Sequence, residues 1–187
     1  MIFAAILTSC KNQTSNTDNK KDISAAKAFT SEKYNFSAIF PEKPKESSNS
    51  TITEGEKINI SMFVYESNDQ AFFVGISDMP KNLVDKSDKK TLLQSAKTGA
   101  LQHLTNSKIL NEKNISLGAH PGLEFDVTGK SGDTELYMKG RYYMVDNRLY
   151  QIYVMAQKSD SKKMEADKIE INRFIDSFKL IAQSKLL

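Results

Sequence analysis

The sequence predicts an α+β domain in which a central antiparallel sheet is flanked by helices, an α-β-α sandwich. Three observations predict it. Apolar and polar residues alternate with a period of two in several segments, the pattern of half-buried strands. The connections between most of those segments are hairpin-length, which favours antiparallel over parallel pairing. Two other segments carry apolar residues three and four apart, the stripe of an amphipathic helix. Strands, a helix, more strands and a final helix close most naturally as helices packed on one sheet.

The folded part opens with the apolar run Tyr34-Asn-Phe-Ser-Ala-Ile-Phe-Pro41, stopped by Pro41 and Pro44, which donate no ladder hydrogen bonds. Glu46 to Ser50 is polar and reads as a turn-rich stretch. Ile58, Ile60, Met62 and Val64 then alternate with Asn59, Ser61, Phe63 and Tyr65, as in a half-buried strand. Phe72, Val74 and Ile76 follow, with Pro80 ending that strand. From Asp88 to Asn106 the period changes: Leu92, Leu93, Ala96, Ala100, Leu101 and Leu104 line one helix face, with Ser87 or Asp88 as its cap.

The second half is again strand-like. Ile109 to Leu117 leads to a turn at Gly118-Ala-His-Pro-Gly122, after which Leu123, Phe125 and Val127 alternate with Glu124, Asp126 and Thr128. A turn at Lys130-Ser-Gly-Asp133 leads into Thr134 to Val145, and Asp146-Asn147 is a two-residue hairpin signal before Leu149 to Ala156. Ile171, Phe174, Ile175 and Phe178 place a closing helix at roughly Lys162 to Leu180.

At the N-terminus, Leu7-Thr8-Ser9-Cys10 closes a short apolar run with the only cysteine of the chain and resembles the lipobox of bacterial lipoproteins. The resemblance implies a signal peptide over residues 1–9, cleavage before Cys10, and lipidation of Cys10 with acyl chains such as palmitate. Residues 10–30, rich in Asn, Thr, Ser and Lys, read as a flexible tether, and 31–187 as one globular domain. Each buried acyl methylene contributes about 0.8 kcal/mol, so several chains on one cysteine hold a protein on a membrane. The expected location is the bacterial cell envelope, at the outer membrane or a periplasmic face. A single cysteine allows no internal disulfide, so stability must come from core burial.

Further residues carry a second resemblance. Phe36, Phe40, Pro41 and Pro44, the turn Gly118 to Gly122, Arg141-Tyr-Tyr, Asn147-Arg-Leu-Tyr150 and Phe174-Ile-Asp-Ser-Phe-Lys179 together resemble the PsbP-like superfamily of secreted and lumenal domains. That likeness implies helices around a central antiparallel sheet and a docking role, since members include assembly or accessory factors for membrane complexes. It transfers no metal or catalytic residue to this sequence.

Composition excludes several function classes. The net charge is only +3, and lysines are scattered among nearly as many acids, with three arginines, Arg141, Arg148 and Arg173. Nucleic-acid binders gather cations on one face and add stacking aromatics, so no nucleic-acid partner is expected. Gly129-Lys-Ser131 has Glu124 where a phosphate-binding loop needs glycine. His103, assigned to the helix, and His120, assigned to a turn, have no partner at metal-ligand spacing. No catalytic residues, metal ligands or cofactor are therefore assigned. Glu124 and Asp126 share a strand face where acid-base chemistry is conceivable, but alternation there also describes a solvated face.

One cluster stands out as a candidate partner-binding surface. Tyr137, Lys139, Arg141 and Tyr143 fall on one face of a strand, and Tyr150 follows in its hairpin partner. Tyrosine and arginine together are common interface anchors. The competing expectation, and the favoured one, is that helices cover both faces of the sheet and these tyrosines are packed in the core. The functional expectation is a lipid-anchored envelope protein acting as a non-catalytic binding or assembly module for a membrane-associated complex. The alternative is a small-ligand-binding or enzymatic periplasmic domain.

Overall fold

A computed structural model of the chain describes residues 27–53 and 55–181. The expected signal peptide, Cys10 and most of the tether lie outside them. The large sheet contains β3 (Lys45–Thr53), β4 (Glu56–Glu66), β5 (Gln70–Asp78), β6 (Thr105–Leu117), β7 (His120–Ser131), β8 (Thr134–Val145) and β9 (Arg148–Gln157). Its order is β3-β4-β5-β9-β8-β7-β6, antiparallel throughout. Two meanders thus meet where β5 pairs with β9. Between them the chain crosses through α1 (Lys81–Lys86) and α2 (Lys89–Leu101), and it closes with α3 (Ser161–Ser177). A small sheet of β1 (Phe29–Ser31), β2 (Phe36–Ala38) and β10 (Lys179–Leu180), ordered β1-β2-β10, packs alongside.

Alternation along the strands splits the core in two. Phe72, Val74, Ile76, Tyr150, Ile152 and Val154 point to one face, where Ile171, Phe174 and Ile175 of α3 and the small sheet cover them. Leu123, Phe125, Val127, Met138, Tyr142 and Met144 point to the other, under Leu93 of α2 and Val84 of α1. The α-β-α sandwich expected from the sequence is therefore the observed architecture. No helix among the described residues is long and apolar enough to cross a membrane.

Several local expectations are corrected. Glu46 to Ser50 is not a turn but the middle of β3, paired residue by residue with β4 from Lys45↔Val64 to Thr53↔Glu56. As an edge strand it is wet along one side and carries no apolar alternation to betray it. In β4 the most deeply buried residues are Ser61 and Phe63 rather than the Ile58 to Val64 series, because the small sheet lies on that face. Phe36 and Tyr34 meet the Phe63 ring with centroids 5.1 and 5.7 Å apart.

The central helix ends at Leu101, and Thr105 already belongs to β6. His103 accordingly sits in a turn, while His120 begins β7. Asp88 does cap α2, accepting from the Thr91 N–H at 3.1 Å. The closing helix stops at Ser177, whose hydroxyl accepts from the Ile39 N–H at 2.8 Å and donates to the Phe174 carbonyl at 2.7 Å. Lys179 and Leu180 then extend as β10 against β2. At the other end, β1 takes up Phe29 and Thr30, the last part of the expected tether.

Candidate functional site

The residues singled out on β8 do share one face, the face toward α3, and the structure separates them by chemistry. Tyr137, Tyr143 and Tyr150 are buried in the core beneath α3 and the small sheet, at 7, 6 and 2% exposure. Tyr143 stacks on Phe178 with centroids 6.1 Å apart and planes 10° from parallel. Tyr150 packs against the same ring at 5.6 Å, and its hydroxyl donates to the Tyr34 carbonyl at 2.7 Å. Burial pushes the Tyr137 hydroxyl well up, and the neighbouring Asp126 carboxylate pushes it further. All three rings are structural members of the core.

Lys139 and Arg141 instead join a ladder of opposite charges across three strands. The register places Glu124 of β7 opposite Arg141, Asp126 opposite Lys139, and Lys113 of β6 opposite Glu124. Cross-strand neighbours of opposite sign attract, and like charges there repel, so this register is favoured electrostatically. Glu124 is 3% exposed and receives hydrogen bonds from Arg141 Nε and an ion pair from Lys113 Nζ at 2.8 Å. Arg141 Nη1 turns to Asp176 in the last turn of α3 at 2.7 Å. Lys139 Nζ lies 3.7 Å from Asp126.

Burial alone would raise the Glu124 carboxyl, but hydrogen bonds from Lys113 and Arg141 outweigh it and hold the group below its usual range. The chain Lys113–Glu124–Arg141–Asp176 is thus a clasp that ties β6, β7, β8 and the end of α3 together. Its cations and anions compensate one another, and only the ends, Lys113 and Asp176, stand well out into solvent. Sequence reasoning found Glu124 and Arg141 separately and missed Lys113 and Asp176. The signal was the pair of alternations, acidic at 124 and 126 and basic at 139 and 141, which a correct hairpin register sets face to face.

Among the described residues no group of three or more His, Cys, Asp or Glu side chains is placed to hold a metal ion. A shallow trough of about 530 Å³ runs along α2, lined by Thr91, Gln94, Ser95, Thr98 and Gly99, away from the clasp. His120, at the start of β7, is not a member of the clasp.

No protein-family model matches the chain, and no curated protein matches it in sequence. Solved structures do resemble it. The cyanobacterial PsbP (CyanoP) of Synechocystis sp. PCC 6803 is 12% identical with a TM-score of 0.53, covering 82% of this chain and 91% of that one. The Ran-binding protein Mog1p of Saccharomyces cerevisiae is 13% identical with a TM-score of 0.49, covering 84% and 96%. LpqN, involved in cell envelope biogenesis of Mycobacterium tuberculosis, is 11% identical with a TM-score of 0.45, covering 75% and 87%. At such identities the likeness is one of fold, and the CyanoP match agrees with the PsbP-like architecture expected from the sequence.

Proposed function

We propose that this chain is a lipid-anchored cell-envelope protein whose PsbP-like domain is a non-catalytic binding or assembly module for a membrane-associated complex. The observation that carries the reading is Leu7-Thr8-Ser9-Cys10, followed by polar chain and then by a domain of PsbP-like fold. Lipid on Cys10 fixes the domain to a surface, and a linker of this composition spans about 5–6 Å times the square root of its residue number. The domain therefore searches a thin layer above the membrane for its partner. The clasp ties the sheet to the end of α3 and leaves Lys113 and Asp176 as its solvent-facing ends.

Two measurements test this. Labelled palmitate incorporated by the native protein and lost in Cys10→Ser, with the variant released from the membrane fraction, is the expected result for the anchor. An unmodified Cys10 in the mass spectrum of the native protein overturns it. Cross-linked co-purification from detergent-solubilised membranes, against a tethered scrambled-domain control, should return a reproducible partner dependent on the folded domain.

A further inference from the structure

One outer edge of the large sheet is β6, a 13-residue strand paired on one side with β7 and, among the described residues, with no strand on the other. All ten residues from Thr105 to Asn114 are exposed. An unpaired edge of this length presents a row of backbone N–H and C=O groups able to accept another strand. Proteins commonly blunt such edges, and here a bulge interrupts the register: Ile109 pairs with Val127 and Asn111 with Asp126, leaving Leu110 as the extra residue.

The bulge also sorts the side chains. Directly paired residues point to the same face, so Ile109 and Glu112, opposite Val127 and Phe125, lie on the α2 face. Lys108, Asn111 and Lys113, opposite Thr128, Asp126 and Glu124, lie on the α3 face. Ile109 is 48% and Leu110 53% exposed, two of the four large hydrophobic residues that stand out among those described. The edge is therefore apolar at its centre, with Lys108 outside the clasp on the α3 face and Lys113 there already paired with Glu124.

A second copy of the chain does not fit this pattern. Two β6 edges pairing antiparallel about an axis perpendicular to the sheet set one residue opposite itself. Centring on Lys108, Glu112 or Lys113 opposes like charges, and centring on Ile109 or Asn111 sets no acid opposite Lys108. Centring on Leu110 brings Lys108 against Glu112, but the bulge has turned those two side chains to opposite faces. A foreign strand that alternates acidic with apolar residues meets both requirements at once, a carboxylate beside Lys108 and apolar groups over Ile109 and Leu110.

We propose that the β6 edge, with Ile109, Leu110 and Lys108, binds an extended acidic–apolar segment of another protein as an added strand. The proposal rests on the binding-module reading above and names the chemistry of its partner. The probe is a capped nonapeptide alternating Asp with Val, compared with one alternating Lys with Val, titrated into the isotopically labelled full chain and followed by amide resonances. The Asp peptide should shift amides of residues 105–117 and bind about tenfold more weakly to Leu110→Asp and to Lys108→Glu. Ile52→Asp on the opposite edge, where Ile52 is also exposed, should bind as the unmodified chain does.

Unmoved β6 amides, equal binding of both peptides, or equal binding to all three variants overturns the proposal. So does concentration-dependent self-association that Leu110→Asp abolishes, which would make a second copy the occupant. If cross-linking captures the same partner with the unmodified chain and with Leu110→Asp, the edge assignment fails while the accessory reading stands. If the scrambled domain captures that partner too, the accessory reading itself fails.

Discussion

Tyr143 lies over Gly122 across the β7–β8 pair, so closely that a Cβ on Gly122 would stand 2.5 Å from the ring Cδ1 and 2.7 Å from the Tyr142 carbonyl oxygen. The arrangement repeats on the opposite face, where Phe125 covers Gly140 and an added Cβ would stand 2.6 Å from its Cζ. Each glycine gives up its side chain so that the facing aromatic ring can lie down on the sheet. One such pair serves the core under α3 and the other the core under α2.

Gly122→Ala should therefore destabilise the domain by about 1–3 kcal/mol, the usual cost of forcing an extra methyl into a packed interior. The check is a denaturant titration of Gly122→Ala, Tyr143→Ala and the double variant. Removing the ring relieves part of the clash, so the double variant should lose less than the sum of the singles. Additivity within about 0.5 kcal/mol would show that the ring and the glycine are not coupled.

Glu124 makes stability depend on acid. Its carboxyl is held below the usual range in the native state, so its stabilisation is fully present above the ordinary glutamate value of about 4.3 and is lost as pH falls through the lower native value. Glu124→Gln leaves Arg141 with Asp176 as its anionic partner. Breaking a buried pair costs about 3–5 kcal/mol, and Arg141, which keeps some solvent contact, should place the loss near the lower end. Thermal melts from pH 3 to 7 should show a flatter acid limb for Glu124→Gln than for the unmodified chain.

Asp167 behaves in the opposite sense. It is 8% exposed, accepts from Gln70 Nε2 at 2.7 Å through Oδ1, and its Oδ2 has no hydrogen-bond partner. Burial raises its carboxyl pKa; Lys163 opposes that, and Asp69 and Asp160 reinforce it. A raised value means the native state holds the proton more tightly, so ionisation costs stability as pH climbs from about 3.9 through the native value. Asp167→Asn keeps the Gln70 bond and removes the charge. It should gain about 1 kcal/mol at pH 7 and progressively less toward pH 4. A variant less stable than the unmodified chain at pH 7 would assign Asp167 a stabilising partnership with Lys163 instead.

The parts of the fold legible in the sequence were those with a regular apolar period. Strands β5, β7 and β9 carry apolar residues at alternate positions and helices α2 and α3 carry them three and four apart, and Asp88 marked its helix start. β3 was illegible because an edge strand of Lys, Glu, Ser, Asn and Thr buries little, and its strand identity comes from β4. α1 and β10 are short and owe their form to Pro80 and to β2 respectively. The candidate site was half legible for a similar reason: Tyr137, Lys139, Arg141 and Tyr143 were placed on one face, but their division into core rings and a surface clasp depends on where α3 lies.

The last prediction separates the two roles open to the tyrosines of that face. The Tyr150 hydroxyl donates to the Tyr34 carbonyl at 2.7 Å and so pins the segment leading into β2 onto the large sheet. Tyr150→Phe keeps the ring against Phe178 and deletes the hydroxyl, which also accepts from Arg148, leaving the Tyr34 carbonyl short of its partner at a cost of about 1–3 kcal/mol. Amide exchange should then quicken through Phe29 to Phe40 more than in β7 or β8, because the bond to the Tyr34 carbonyl ties that segment to the large sheet. A variant of unchanged stability and exchange that no longer binds its partner would instead make Tyr150 a contact residue, and the packing account of these rings would have to give way.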